Sequence, residues 1–283
     1  MIRLGTSSYI IEGSLLENVR YLGPKVDDVE LVLFETEELS NIPNSEEIFE
    51  LHQLAKRYKL TYTVHLPMDT YPGALDEKIR KQSVELIIRV IEVTKALNPF
   101  GYILHFTPES YGPIPAQNIP AWLNQSEKSI VEILNQTKIE PSILGIETLS
   151  YPVSLVDPLI ERYDLGVVLD IGHLHFMGYD VEDHFRRYIN RCRTIHLHGV
   201  EEGVDHLGLH RGDRKKIDEF LRLLEHADDG LKRVVTLEVF DQEGFEGSMG
   251  VLREERREEK SNVSDRRRTK WEILLGGSVR SRS

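Results

Sequence analysis

The chain has 283 residues, 40% of them hydrophobic, and a formal net charge of −12. That length and composition allow one large domain or two small ones, and exclude wholesale disorder. No apolar run is long enough to span a membrane, and the single cysteine, Cys192, excludes an internal disulfide and a thiolate metal site.

Strand patterns alternate with helix patterns from the start, where MIRLGTSSY runs straight into a strand without a secretion signal. This opening points to a cytoplasmic protein. The predicted strands are 2–9, 28–34, 61–67, 102–107, 143–149, 165–172, 194–199 and 234–240. Amphipathic helix patterns lie between them at 45–58, 76–96, 126–136, 153–163, 181–189 and 215–226. Eight strands with helix-compatible connections predict an α/β fold, a closed parallel (β/α)8 barrel over residues 1–257. A doubly wound open sheet is the alternative, and it gathers ligands at one switch point only. Residues 258–283 form a basic tail, predicted flexible, with seven Lys/Arg against four acids; the body therefore carries −15. A body that acidic repels polyanions, so nucleic acid is a poor partner, and no membrane partner is expected. The oligomeric state is not legible. No GxGxxG, Walker or GxSxG motif is present.

Six predicted strands end in a metal-competent side chain: His65, His105, Glu147, Asp170, His196 and Glu238. Each closes an apolar run, where a buried polar group is costly. A single histidine of this kind is more often a hydrogen-bonded core residue than a ligand. Two carboxylates and several imidazoles facing one axis need a cation between them. In a barrel all these ends converge on one face. Imidazole and carboxylate ligands suit zinc, manganese, iron or cobalt. His173 follows Asp170 three residues on. The Gly-rich stretch after strand seven, predicted to be a flexible lid, carries Asp205 and His206 and then Arg211, a candidate phosphate clamp. His198 shares the strand face of His196, and Ser7, Ser8 and Tyr9 end strand one; Ser7, Tyr9 and His198 are candidate substrate-binding groups. His52, His184 and His226 fall inside predicted helices and read as surface or packing residues, and a packing role suits His175.

The order His65, His105, Glu147, Asp170-x-x-His173, His196, Asp205-His206, Glu238 resembles the xylose-isomerase-like barrel superfamily, in its apurinic-endonuclease family two branch. That resemblance implies a first metal on His65, His105 and Glu147, and a second on Glu147, Asp170, His196 and Glu238. It implies a third on His173 with Asp205 and His206, where the branch has Asp-x-His and this chain has the two residues adjacent. One to three divalent ions, zinc first, are thus implied. The segments GTSSYI, VELVLFE, SNIP and YTVHLPMD are similar to the cobamide-remodelling phosphodiesterases of the superfamily. The resemblance implies hydrolysis of the phosphodiester in the corrinoid nucleotide loop by a metal-activated water, with Glu147, Glu238 and Arg211 as catalytic groups. The alternative is a sugar or sugar-phosphate isomerase or epimerase with one metal and Glu147 and Glu238 shuttling a proton. Either way the partner is a small molecule, corrinoid or sugar. DNA repair at abasic sites fits poorly with the acidic body, and a non-enzymatic metal- or corrinoid-binding barrel is the simplest competing reading.

Overall fold

The computed structural model describes residues 2–227 and 229–262, with side chains to residue 254. Ten strands are present among them: β1 (Ile2–Ser7), β2 (Asp28–Val32), β3 (Thr61–His65), β4 (Gly101–His105), β5 (Leu144–Glu147), β6 (Gly166–Asp170), β7 (Cys192–Leu197), β8 (Gly199–Glu201), β9 (Val204–Leu207) and β10 (Arg233–Leu237). Eight of these close a parallel barrel in the order β1-β10-β7-β6-β5-β4-β3-β2, and β8 and β9 form a separate antiparallel hairpin. The seam lies between the first and last strands, from Ile2 opposite Arg233 to Thr6 opposite Leu237. The predicted (β/α)8 barrel is therefore present, with all eight predicted strands.

Nine α-helices accompany the strands among the described residues: α1 (Leu15–Leu22), α2 (Ser45–Tyr58), α3 (Glu77–Thr94), α4 (Ile119–Thr137), α5 (Asp157–Tyr163), α6 (Ile171–Met177), α7 (Val181–Tyr188), α8 (Arg214–His226) and α9 (Gln242–Asn262). Local chemistry starts several of them. Ser14 and Asn44 close capping boxes with Glu17 and Glu47. Asp76 and Asp213 accept from backbone N–H groups at the starts of α3 and α8. Three expectations need correction. α4 begins at Ile119 rather than 126, because Asn118 caps it and Pro120 fits its first turn. The strand predicted over 165–172 stops at Asp170, because helix α6 begins at Ile171, capped by Asp170 as it accepts from the His173 N–H. The stretch after β7 is the β8–β9 hairpin and a short 3-10 turn (Leu209–Arg211), not a structureless lid. The expected tail boundary at 258 falls within α9, and residues 263–283 lie outside the described residues.

Strand side chains alternate between two environments. Val29, Leu31, Tyr62, Val64, Tyr102, Leu104, Ile146, Ile195 and Leu237 join the helices in one apolar shell. Full burial of each such aliphatic side chain contributes about 1.5–3 kcal/mol. The alternate set lies inside the barrel, where it is strongly polar: Asp28 and Glu30 on β2, Thr61, Thr63 and His65 on β3, Glu147 on β5, Thr194 and His196 on β7. Barrels of this type usually fill with branched aliphatics. Small residues make room between the bulky ones: a Cβ on Gly145 would stand 2.7 Å from Val168 Cγ2.

Candidate metal centre

Strand register brings the strand-end residues together. His105 is the Cα partner of Glu147, and Asp170 that of His196. Parallel strands lie about 4.8 Å apart, so these pairs share one layer at the C-terminal end of the barrel. Glu238 directly follows β10, and its N–H donates to Leu197 O at 3.2 Å. All six predicted strand-end residues are buried, at 6% exposure or less.

Four overlapping groups result among the described residues. In each, the candidate ligand atoms lie within 4.8 Å of one another: His65, His105 and Glu147; Glu147, Asp170, His196 and Glu238; Asp170, His173, His198 and His206; and Glu30, His65 and Glu238. Glu147 belongs to the first two and Asp170 to the second and third. Glu147 Oε2 lies 3.1 Å from His105 Nε2 and 3.8 Å from His65 Nε2, while its Oε1 lies 3.3 Å from His196 Nδ1. His196 Nδ1 is also 3.0 Å from Glu238 Oε2.

Of these contacts only the His105 Nε2–Glu147 Oε2 pair is a hydrogen bond. His196 Nδ1, Glu238 Oε2, Asp170 Oδ2, His173 Nδ1 and His105 Nδ1 are buried without a hydrogen-bond partner. Such groups normally cost about 1–3 kcal/mol each when left unpaired. Nitrogen and oxygen atoms gathered at 3–4 Å without hydrogen-bond alignment are what lone pairs converging on a common cation require. The donor set, imidazole and carboxylate, fits a borderline divalent ion.

The charges reinforce one another. Burial pushes the Glu147 carboxyl upward, but His196 and His105 overcome it and hold it well below the usual range. Glu238 likewise falls to about 2, against its burial, because of His196 and His206. His173 rises to about 12 despite burial, lifted by Asp170, Asp205 and Glu147. His206 rises to about 9 against its own burial through Glu238 and Asp170. His65 moves the other way, lowered by burial and by His105. The cluster thus holds ionised carboxylates paired with protonated imidazoles, and His173, His196 and His206 must release their protons before their rings can hold a cation.

The hairpin completes the third group. His206 stands on β9 with φ +53°, and its backbone N–H donates to His198 Nδ1 at 2.9 Å. His198 Nε2 then faces Asp170 Oδ1 at 3.1 Å. Gly172 is needed here, because a Cβ at that position would lie 2.1 Å from the His198 ring. Asp205 Oδ2 is 3.6 Å from His173 Nε2, and its Oδ1 3.2 Å from His206 Nδ1. Asp205 and His206 thus both stand beside His173, but only His206 is among the four residues whose candidate ligand atoms converge there.

Other candidates stand differently. Ser7 donates to Val239 O at 2.5 Å and Ser8 accepts from the Val32 N–H at 3.0 Å, so both hydroxyls tie connections together. Tyr9 is 42% exposed, 6.2 Å from the Phe34 ring, on the rim. Arg211 is not brought to the cluster; it pairs with Glu201 at 2.9 Å, half exposed, beside the hairpin. His52, His184 and His226 lie on α2, α7 and α8, as expected. His175, on α6, is half-buried with Nε2 unpaired, and burial lowers its pKa to about 4.

Sequence reasoning missed Glu30. It is fully buried in mid-strand, and its Oε2 lies 3.0 Å from His196 Nε2. A ring nitrogen held by a carboxylate leaves the other nitrogen, here Nδ1, to face the ligand group, which is the usual arrangement behind a metal-bound histidine. The signal was present as an acid alternating within the apolar run VELVLF. Tyr111, on the connection after β4, was also missed; burial raises its pKa, and the charges of His173, Asp205 and Asp170 act on it.

Comparison with known proteins places this geometry. The apurinic-endonuclease family two profile, described as a xylose isomerase-like TIM barrel, matches residues 17–258. A search of curated protein sequences finds no significant match. Among solved structures, a D-tagatose 3-epimerase-like protein superposes with a TM-score of 0.69 at 23% identity, over 92% of this chain and 99% of that one. Endonuclease IV from Thermus thermophilus gives a TM-score of 0.65 at 18% identity, over 89% and 99%. A 3-keto-D-glucoside 4-epimerase from E. coli gives 0.64 at 15% identity, over 91% and 100%. At these identities the solved structures share the fold. The profile match over most of the chain, on a closed barrel with its charged groups at the C-terminal strand ends, shows that the chain belongs to the xylose isomerase-like TIM barrel family.

Proposed function

We propose that the chain is a metal-dependent phosphodiesterase acting on the nucleotide loop of cobamides. One observation carries the hydrolase reading. Ligand-competent groups continue on both sides of the Glu147–Asp170–His196–Glu238 set, through His65 and His105 on one flank and His173, His198 and His206 on the other. A single ion needs only the central set. Shared carboxylates at Glu147 and Asp170 are what adjacent cation positions would use. The four segments similar to cobamide-remodelling enzymes support the substrate.

His65, His105 and Glu147 would hold one ion, Glu147, Asp170, His196 and Glu238 a second, and His173 with His206 and Asp205 a third. When bound, such ions lower the pKa of water and neutralise phosphate charge. The chain's own residues orient and insulate the site. Glu30 fixes the His196 ring, Asp170 is held by the His173 N–H at 2.8 Å, and His198 joins Asp170 to the hairpin.

The second reading, a sugar isomerase or epimerase, is favoured by the compact central set, in which Glu147 and Glu238 flank His196 Nδ1 at 3.3 and 3.0 Å. Elemental analysis of the purified protein, run beside incubation with a cobamide and assay of the released nucleoside part, separates the two. More than one metal per chain and nucleoside release are expected. One metal with full activity, or a ketose epimerised while the cobamide persists, overturns the proposal. His105→Ala should abolish nucleoside release, whereas an epimerase would retain part of its activity.

A further inference from the structure

A second polar site lies at the opposite end of the barrel. A cavity of about 360 Å³ opens there, among the residues that lead into the strands. Ser142, Asp164, Asn190 and Leu231 line it, each standing two residues ahead of a strand: β5, β6, β7 and β10 in turn. These four strands form one contiguous arc of the barrel. They are also the strands that end in, or run into, Glu147, Asp170, His196 and Glu238. The cavity therefore gathers the starts of the strands whose far ends carry the central ligand group.

Arg193 lines the same cavity, and it owes its place there to an irregularity in β7. Val167 and Val168 are adjacent on β6, but their partners are Cys192 and Thr194, so Arg193 is the extra residue of a bulge. Bulges re-aim a side chain. Here the guanidinium carbon lies 4.6 Å from the centre of the Phe100 ring. The ring face attracts the cation while leaving the N–H donors at the guanidinium edge free. His196 lies three residues further along β7, about 10 Å away along the strand.

Those donors lack a counterpart. Arg80 and Arg233 each pair with carboxylates. No carboxylate pairs with Arg193 among the described residues, and its Nε is buried without a hydrogen-bond partner. Burial lowers its pKa, and no counter-charge offsets that. An unmet buried donor on a charged group is costly. The acid on the cavity wall, Asp164, is already engaged by Arg191, with Nη1 to Oδ1 at 2.6 Å. The cavity is left with the Arg193 charge unmatched, and that charge selects an anion. Ser142 and Asn190, both exposed on the rim, add a hydroxyl and an amide as donors. The chain's net charge of −12 repels polyanions, so the anion is small.

We infer that this cavity binds a small oxyanion, a carboxylate or phosphate group taken by the Arg193 guanidinium with Asn190 and Ser142 completing its shell. Both head groups match the planar fork of a guanidinium. Such a ligand bridges the starts of β5, β6, β7 and β10, and so steadies the arc whose other ends hold the central group. The site depends neither on metal content nor on which reaction the metal centre performs.

The test follows the Arg193 Nε–H resonance of the full-length chain in proton–nitrogen correlation spectra, identified by its absence in Arg193→Lys. Sodium phosphate and sodium succinate are titrated separately, each against sodium chloride at equal ionic strength. A saturable shift is expected, and the salt that produces it identifies the head group. Ser142→Ala/Asn190→Ala changes two exposed positions and should fold, as circular dichroism would verify. It should weaken binding about tenfold, the scale for two lost donors. A drift that matches chloride, or an unchanged Kd in the double variant, overturns the inference. A second arm measures thermal unfolding. The oxyanion that saturates the resonance should raise Tm for the parent but not for Arg193→Gln. An equal change in both overturns the inference, and an anion lodged at the metal centre gives that result. Should Arg193→Gln fail to fold, the double variant takes its place in this arm, with a smaller rise in Tm than the parent expected and an equal one overturning the inference.

Discussion

Arg233 and Glu238 sit at opposite ends of β10, and both are buried, at 2% and 5% exposure. Their surroundings differ completely. The Arg233 guanidinium donates to Cys192 O at 3.0 Å, to Ile189 O at 2.7 Å and to both Asp229 carboxylate oxygens. Glu238 Oε2 has no hydrogen-bond partner, though His196 Nδ1 stands 3.0 Å away. Arg80 repeats the first pattern, with Glu77, Ser129 and Glu132 around it. The chain can therefore satisfy a buried charge fully where the charge is structural. Groups left unsatisfied at the other end of the same strand are held for something that binds them.

The comparison breaks if the unsatisfied end is indifferent to metal. Glu147→Ala removes the carboxylate common to two ligand groups, and metal affinity should fall by well over about 100-fold, since outer partners alone contribute about 10–100-fold. Isothermal titration with zinc measures this, and unaltered affinity would contradict the metal assignment. At the satisfied end, Arg233→Ala should cost about 3–5 kcal/mol, as when one partner of a buried pair is removed. Urea denaturation reads that loss, and zinc content should stay that of the parent protein.

Asp28 sharpens the contrast through pH. Its carboxyl is fully buried, and burial, partly opposed by the Thr61 hydroxyl that donates to its Oδ2, raises its pKa to about 7. A carboxyl raised on folding favours the native state below its ordinary value of 3.8, and this contribution is lost as pH climbs through about 7. Asp28→Asn, permanently neutral, should match the parent near pH 4 and exceed its stability by about 2–4 kcal/mol at pH 8. Denaturation at the two pH values, with metal removed from both proteins, tests the sign; an equal difference at both would contradict it. The smallest effect expected is that of Glu30→Gln. It keeps a hydrogen-bonding group on His196 while removing the charge, so zinc affinity should drop about 10–100-fold with little change in unfolding free energy.

Much of this molecule was legible because its signals are local. Each barrel strand is a short apolar run, and each candidate ligand breaks such a run at its end, as His105 does in YILHF and Asp170 in VVLDIGH. What escaped depends on context that a strand-end pattern does not contain. Glu30 and Asp28 alternate within β2, and only closure of the barrel shows that their side of the strand faces His196 and Thr61. α6 was hidden because Asp170 serves two purposes, candidate ligand and helix cap. The Gly-rich run after β7 reads as flexible, yet its backbone pairs as a hairpin once His198 accepts the His206 N–H. Arg211 lies in the expected neighbourhood by sequence, but the hairpin's own Glu201 engages it.

The pairing of Glu30 with His196 spans 166 positions of the chain, and the Thr6–Leu237 bond spans 231. Contacts that distant form late, after a large loss of chain entropy. A partly folded chain with β10 undocked lacks the complete central ligand group, because Glu238 has yet to arrive. Metal uptake at that group is then a record of topological completion: the ion adds its full binding free energy only to chains that have joined their first strand to their last. Scarcity of such an ion would then lower the population of closed barrels, since binding after closure holds the chain closed without hastening it.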